Sequence, residues 1–227
     1  MVIKGMPSRL ERFVKEWEDK PRTSVKEKIA KMIHPPPPMR YKLAMALYKV
    51  KTQVTRLEHL LNKLQERDKM LFEKVVSAHI MKDSARAAIY ANEVAEVRKI
   101  ARTVLRAQLA LEQVSLRLET VRELGDVLVT MAPIVEVIRD IKHHLKGIVP
   151  EIAFELDEVD SMLHSIVLEA GEFTGTSIDT TIVSGEAKKI LEEASIIAEQ
   201  RMKERFPELP VAEAAKAEGT SLPAPPK

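Results

Sequence analysis

MRYKLAMALYKVKTQVTRLEHLLNKLQERDKMLFEKVVSAHIMKDSARAAIYANEVAEVRKIARTVLRAQLALEQVSLRLETVRELGDVL, running from Met39 to Leu128, decides the fold of this chain. Apolar residues fall at Leu43, Leu47, Val50, Val54, Leu57, Leu61 and Leu64, then at Leu71, Val75 and Ala78. The 4-3-4-3 spacing is interrupted only by Asp68, which takes one seam position. After a polar gap the rhythm restarts as Val97, Ile100, Val104, Ala107, Leu111, Val114, Leu118, Val121, Gly125 and Leu128. A seven-residue repeat held this long gives a helix a narrow apolar stripe that has to be covered by a partner helix. Between the two runs, at Met81-Lys82-Asp83-Ser84, the register breaks, and Asp83 or Ser84 can cap a new helix. The pattern predicts an all-α fold organised around one antiparallel helical hairpin over 39–128, each arm about 60 Å long at 1.5 Å per residue.

Composition supports helices over strands. Of 227 residues, 45% are hydrophobic and 31% charged, with only 4% aromatic and 7 glycines, which suits charged helices with thin apolar seams. The chain has no cysteine, so disulfides and thiolate-bound metals are excluded and a reducing cytoplasm is compatible. No run approaches the roughly 18 apolar residues of a membrane span, and the N-terminus lacks the apolar core of a signal peptide. The net charge of +2 conceals a division. Residues 1–125 hold 26 Lys and Arg against 15 Asp and Glu, whereas residues 126–227 hold 10 against 19. A basic half of this kind suits an anionic surface, and an acidic half can fold back on it; solvation of long helices is the plainer reading.

Along the chain, Ser8 to Lys20 reads as a short helix with Leu10, Phe13, Val14 and Trp17 on one face and Arg9, Arg12 and Lys15 around it. Such a helix can lie in a bilayer interface or cap the hairpin with its apolar face. Ser24-Val25-Lys26-Glu27 has capping-box form and could open a second short helix. The N-terminal segment, residues 1–34, is then set off by Pro35–Pro38, a semi-rigid spacer. In the first arm Lys42, Lys49, Arg56 and Lys63 recur every seven residues and form a line beside the seam. That line can meet phosphates of a membrane or a nucleic acid, or can be the ordinary charged flank of a coiled coil. Arg86, Arg98, Lys99, Arg102 and Arg106 add charge on what should be outward faces of the second arm.

Gly125-Asp126 and Pro133 mark where the second arm can bend or break. Helices are expected over 134–146 and 150–170, the latter acidic through Glu151, Glu155, Asp157, Glu158 and Asp160 and able to lie against the basic hairpin. Residues 171–185 read as a linker, 186–206 as a last helix, and 207–227 as a Pro/Ala/Glu-rich disordered tail. No catalytic constellation emerges. The chain has no Gly-rich phosphate loop. Glu-x-x-His, which a di-metal bundle site needs twice, does not occur. Asp140 with His144 supplies two ligands only. Asp157, Ser161 and His164 share one short helix and cannot form a triad among themselves.

RAAIYANEVAEVRKI (Arg86–Ile100) and LALEQVSLRLETVRELGDVL (Leu109–Leu128) resemble the second helix of ESCRT-III proteins, most closely those of the archaeal cell-division CdvB type. EVDSMLHSIVLEAGE (Glu158–Glu172) is similar to the acidic fourth helix of that family, and the likeness runs from about Arg40 to Glu172. The short stretch after the last predicted helix suggests a short paralogue without a winged-helix extension.

The resemblance implies a non-enzymatic subunit with no cofactor, metal or small-molecule substrate. Such a subunit is closed by its acidic helices and opens to polymerise with itself and with paralogous subunits on anionic lipid. The filaments constrict the inner, cytoplasmic face of a membrane at the division site, and an AAA ATPase with an MIT domain withdraws subunits. It places Lys42, Lys49, Arg56 and Lys63 on a membrane-facing helix, and Leu10, Phe13, Val14 and Trp17 in an N-terminal anchor. Glu208-Leu209-Pro210-Val211 is similar to the proline-type MIT-interacting motif, with Leu222–Pro226 a weaker second candidate. A basic coiled coil that binds nucleic acid and a passive coiled-coil scaffold are the alternatives. The scarcity of aromatics on the basic arms argues against single-stranded nucleic acid.

Overall fold

The repeat-bearing stretch folds as two long helices, α1 (Met39–Ile80) and α2 (Ser84–Leu124), followed by α3 (Val127–Leu145), α4 (Pro150–Thr174) and α5 (Thr180–Arg205). The structure is a computed structural model that describes residues 39–124, 127–174 and 180–207, and no strand occurs among them. The described helices all belong to the unit that begins at Met39.

The apolar stripe of α1 lies along that of α2, and this antiparallel interface is the most extensive between any two helices. Leu43, Leu47, Val50, Leu57 and Leu61 of α1 share one core with Val104, Leu111, Val114, Leu118 and Val121 of α2. Leu57 and Leu111 both have no exposed surface. The turn between the arms has identifiable chemistry. The amide of Asp83 donates to the Ala78 carbonyl at 3.0 Å and that of Lys82 to the His79 carbonyl at 3.0 Å, the pattern of a Schellman cap. Lys82 takes the left-handed position of that cap, with φ 56°. Asp83 then opens α2 by accepting the Arg86 amide on Oδ1 at 3.0 Å, so of the two candidate caps the aspartate is used.

α2 does more than pair with α1. Ala101, Leu105, Leu109 and Ala110 are buried as well, because α3 and α5 also pack on this helix. α4 lies against both α1 and α3. Its stripe of Ile152, Leu156, Val159, Leu163 and Ile166 joins the main core together with Ile134, Ile138, Ile141 and Leu145 of α3. Pro150 stands at the first position of α4, where its missing amide costs no helical bond.

Several boundaries differ from the sequence reading. The second arm ends at Leu124 and the next helix starts at Val127, with Pro133 inside α3 rather than before it. Met131, Ala132, Ile134, Val135, Val137 and Ile138 are buried there, and packing outweighs proline's local penalty. The stretch expected to be a linker, 171–185, is helical at both ends, since α4 continues to Thr174 and α5 begins at Thr180. Burial of Ala187, Ile190, Ala194 and Ala198 against the core holds α5 along its length.

Asp68, the one break in the seam, is only 3% exposed. Arg98 of α2 reaches it with two parallel bonds, Nε to Oδ1 at 2.7 Å and Nη2 to Oδ2 at 3.0 Å. Arg98 is therefore turned inward, against the outward position read from the sequence. The ring of Phe206, just past α5, lies 6.0 Å from the guanidinium and is itself buried. The ion pair separates the main core from a small cluster of Leu71, Val75 and Val94 further along the hairpin.

Removing one partner of a buried, bidentate pair strands the other charge, while replacing both by apolar residues removes the desolvation cost as well. Asp68→Ala is accordingly expected to destabilise the chain by about 3–5 kcal/mol in urea unfolding followed by circular dichroism. Asp68→Leu combined with Arg98→Leu should recover most of that loss.

Candidate functional site

Lys42, Ala46, Lys49, Gln53 and Arg56 follow alternating steps of four and three and so occupy one face of α1. That face looks onto α4. Lys42 donates to Glu169 and Lys49 to Glu158, while Glu155 lies 3.9 Å from both Lys49 and Arg56. Between the cations, Ala46 and Gln53 are buried, and Oε1 of Gln53 accepts no hydrogen bond from the protein. Lys63, one heptad further along, is exposed and has no acidic partner among the described residues.

The expected acidic helix thus lies on the basic arm, but its carboxylates divide their work. Glu155 and Glu158 face α1, whereas Asp157 and Asp160 face α3. There Lys142 donates to Asp157 at 2.6 Å and to Asp160 at 3.3 Å, and Arg139 approaches Asp160 at 3.4 Å. Glu151 is exposed at the start of α4. Glu169 was missed from the sequence. It stands eleven residues, three helical turns, beyond Glu158, and that spacing could have placed it on the same face.

The last helix follows suit, with Glu186 reaching Arg117 at 3.3 Å and Glu199 reaching Arg102 at 2.8 Å. Lys51, outside the stripe, bonds to Glu119 of α2 and so stays within the hairpin. His144 Nδ1 lies 2.8 Å from the backbone carbonyl of Asp140, one turn earlier. Among the described residues no three His, Asp or Glu side chains converge on a common point.

The Lys49 ammonium is held above its ordinary value of 10.5 by its bond to Glu158, against the opposing effect of burial. Lys142 is raised likewise, first by its bond to Asp157. A cation raised by a contact stabilises that contact fully below its free pKa and loses the gain as pH climbs through the raised value. The side chains remain partly exposed, 24% for Lys49 and 49% for Glu158, so each pair contributes at most about 1 kcal/mol. What the pairs supply is direction: they decide which face of α1 receives α4.

Leu10, Phe13, Val14 and Trp17 of the expected anchor and Glu208, Leu209, Pro210 and Val211 of the tail motif lie outside the described residues. Among the described residues no helix is long and apolar enough to cross a membrane.

A long hairpin with a basic face, covered by an acidic helix from the other half of the same chain, defines a class: an all-α protein folded upon its own charge division. No family model matches the chain, and no solved structure matches it. Among curated proteins it is 51% identical over 200 residues to cell division protein B1 of Sulfolobus acidocaldarius, covering 88% of this chain and 90% of that protein. Cell division protein B of the same organism is 41% identical over 162 residues, covering 71% of this chain, which spans 62% of that protein's length. Cell division protein B3 is 26% identical over 164 residues, covering 72% of this chain and 90% of that protein. The chain belongs to the cell division protein B (CdvB) family.

Because the chain has no cysteine, dyes placed through Tyr48→Cys on α1 and Ser161→Cys on α4 report their separation cleanly. Lys49→Glu should lower energy transfer between them, and adding Glu158→Lys should restore it. Transfer should also hold steady as pH rises to 10.5 and fall above it. It should weaken in part at molar salt, where the Debye length is about 3 Å.

Proposed function

We propose that this chain is a non-enzymatic, ESCRT-III-like subunit of the archaeal division machinery. It polymerises with copies of itself and with paralogous subunits on the inner, cytoplasmic face of the membrane at the division site, and constricts that membrane. An AAA ATPase carrying an MIT domain withdraws subunits through the tail motif Glu208–Val211. The observation that carries this reading is the seating of α4 on Lys42, Lys49 and Arg56. A row of cations that is satisfied by the chain's own carboxylates is also a row that anionic lipid can claim once those carboxylates leave, each cation near such a surface being worth about 1 kcal/mol. The names of the relatives support the cellular role, since each is called a cell division protein.

The arrangement favours a switch. α4 shares the main core with α3 and with the hairpin, and on the hairpin side it adds partly exposed ion pairs around the small Ala46 and the unsatisfied Gln53. Those ion pairs are weak, screened by salt and exchangeable for headgroup phosphates. Lys63 is available in either state.

Electron microscopy and co-sedimentation with phosphatidylglycerol-containing vesicles test the proposal. Glu155→Lys, Glu158→Lys and Glu169→Lys combined should raise the sedimenting fraction and filament formation several-fold over the unaltered chain. An equal or smaller fraction would remove restraint by α4. Binding of duplex DNA with a steep salt slope, and indifference to vesicles, would transfer the basic face to nucleic acid. For the tail, Leu209→Asp should weaken binding to the cognate MIT domain by about tenfold in calorimetry, without altering assembly. Unchanged binding would make the motif a spacer.

A further inference from the structure

The end of the hairpin is the least enclosed part of the described chain. Beyond the Asp68–Arg98 pair the core contracts to Leu71, Val75 and Val94, with Tyr90, Ala91 and Val97 packed on it, all from α1 and α2. At the turn itself Ile80 and Met81 are each 75% exposed, the barest large apolar side chains among the described residues. Ile89, at 60%, follows one and a half turns into α2. Around them stand His79, Lys82 and Arg86, while Asp83, the one carboxylate in the turn, is occupied by capping α2 and pairing with Arg86 at 3.2 Å. Lys82 holds the left-handed cap position, which glycine fills with less strain, so a positive charge is kept at the turn against the preference of the backbone.

Two neighbouring apolar side chains at the end of a two-helix rod cannot supply the roughly 800 Å² per partner of a stable protein interface. A bilayer needs no shaped counterpart. It takes an apolar point into its acyl boundary while flanking lysine and arginine extend to headgroup phosphates, and the sign of the charge selects anionic lipid. We infer that the turn of the hairpin, Ile80 and Met81 with Lys82 beside them, is a second membrane contact that enters an anionic bilayer interface end-on. The contact is open while α4 occupies Lys42, Lys49 and Arg56, so a closed subunit can reach lipid before its basic face is uncovered. The inference rests on the membrane reading above and adds to it a site that is separate from the basic face.

The test uses the full chain, whose lack of cysteine allows single labels. An environment-sensitive dye at Met81→Cys should brighten and shift to the blue with phosphatidylcholine–phosphatidylglycerol vesicles and not with phosphatidylcholine alone. The same dye at Leu116→Cys, exposed on α2 far from the turn, should not respond. Ile80→Ser with Met81→Ser should reduce vesicle affinity about tenfold or more. Lys82→Gly should reduce it about fivefold while its thermal midpoint stays level or rises, a split that simple unfolding would not produce. If the chain sediments with vesicles but the dye at residue 81 is unmoved, the turn is not a contact and the basic face alone carries membrane binding. If the unaltered chain ignores anionic vesicles, both readings fail. A change of oligomeric state in Ile80→Ser/Met81→Ser without lipid would assign the turn to contacts between copies and overturn the inference.

Discussion

The described helices are laid down on the contact between α1 and α2. A stripe repeating every seven residues is too narrow to be buried by collapse onto a thick core, and it is satisfied only along the length of another helix. Once the two stripes meet, α2 is left with a second apolar side made of Ala101, Leu105, Leu109 and Ala110, and this side receives α3 and α5. α1 has no comparably apolar second side, since only Ala46 and the polar Gln53 are buried under α4 there. Next to its seam it carries cations at heptad spacing, so what comes to rest there has to be acidic. The difference between the two arms, one with apolar residues behind its seam and one with lysines, sets the order in which the remaining helices can pack.

Charge and apolar burial therefore have separate tasks. The stripe of α4 in the shared core supplies most of the holding free energy, because a buried leucine or isoleucine contributes about 1.5–3 kcal/mol where a partly exposed ion pair contributes at most about 1. The carboxylates determine where the α3–α4 pair comes down. Such a division makes closure specific without making it permanent. Gln53 works in the same direction, since its unmet acceptor at the centre of the α1–α4 contact is a cost that only the closed arrangement bears.

Much of this was legible in the sequence, and the exceptions have physical causes. The seam could be counted because helical periodicity is a one-dimensional signal, and the charge division pointed to the pairing of halves. Asp68 showed as a fault in the seam, but its partner did not. Finding Arg98 requires the register between arms, which is set by the Schellman turn at Lys82 and not by the stripes themselves. Pro133 and Gly171 are local signals for breaks, yet both lie inside helices, and around Pro133 the buried Met131, Ile134 and Ile138 outweigh the local penalty. Glu169 gives no clustered signal, because it stands apart from the other acids of α4 and is matched instead to Lys42, the first of cations spaced every seven residues. Gln53 gave no signal at all, being one polar residue among many until the face it lies on is known to be covered.

The buried ion pair at Asp68 and Arg98 also partitions the hairpin into two lengths of unequal cohesion. On one side a five-helix assembly shares a continuous interior; on the other, two helices share a cluster of Leu71, Val75 and Val94, with Ala78 and Ala87 buried nearer the turn. A segment with so few enclosed contacts opens at a much lower free energy than the whole. The distal third of the rod should consequently fray and reclose many times within the lifetime of the intact fold. Rigidity ends at the guanidinium, and the hairpin meets its surroundings with a compliant extremity mounted on a stiff shaft.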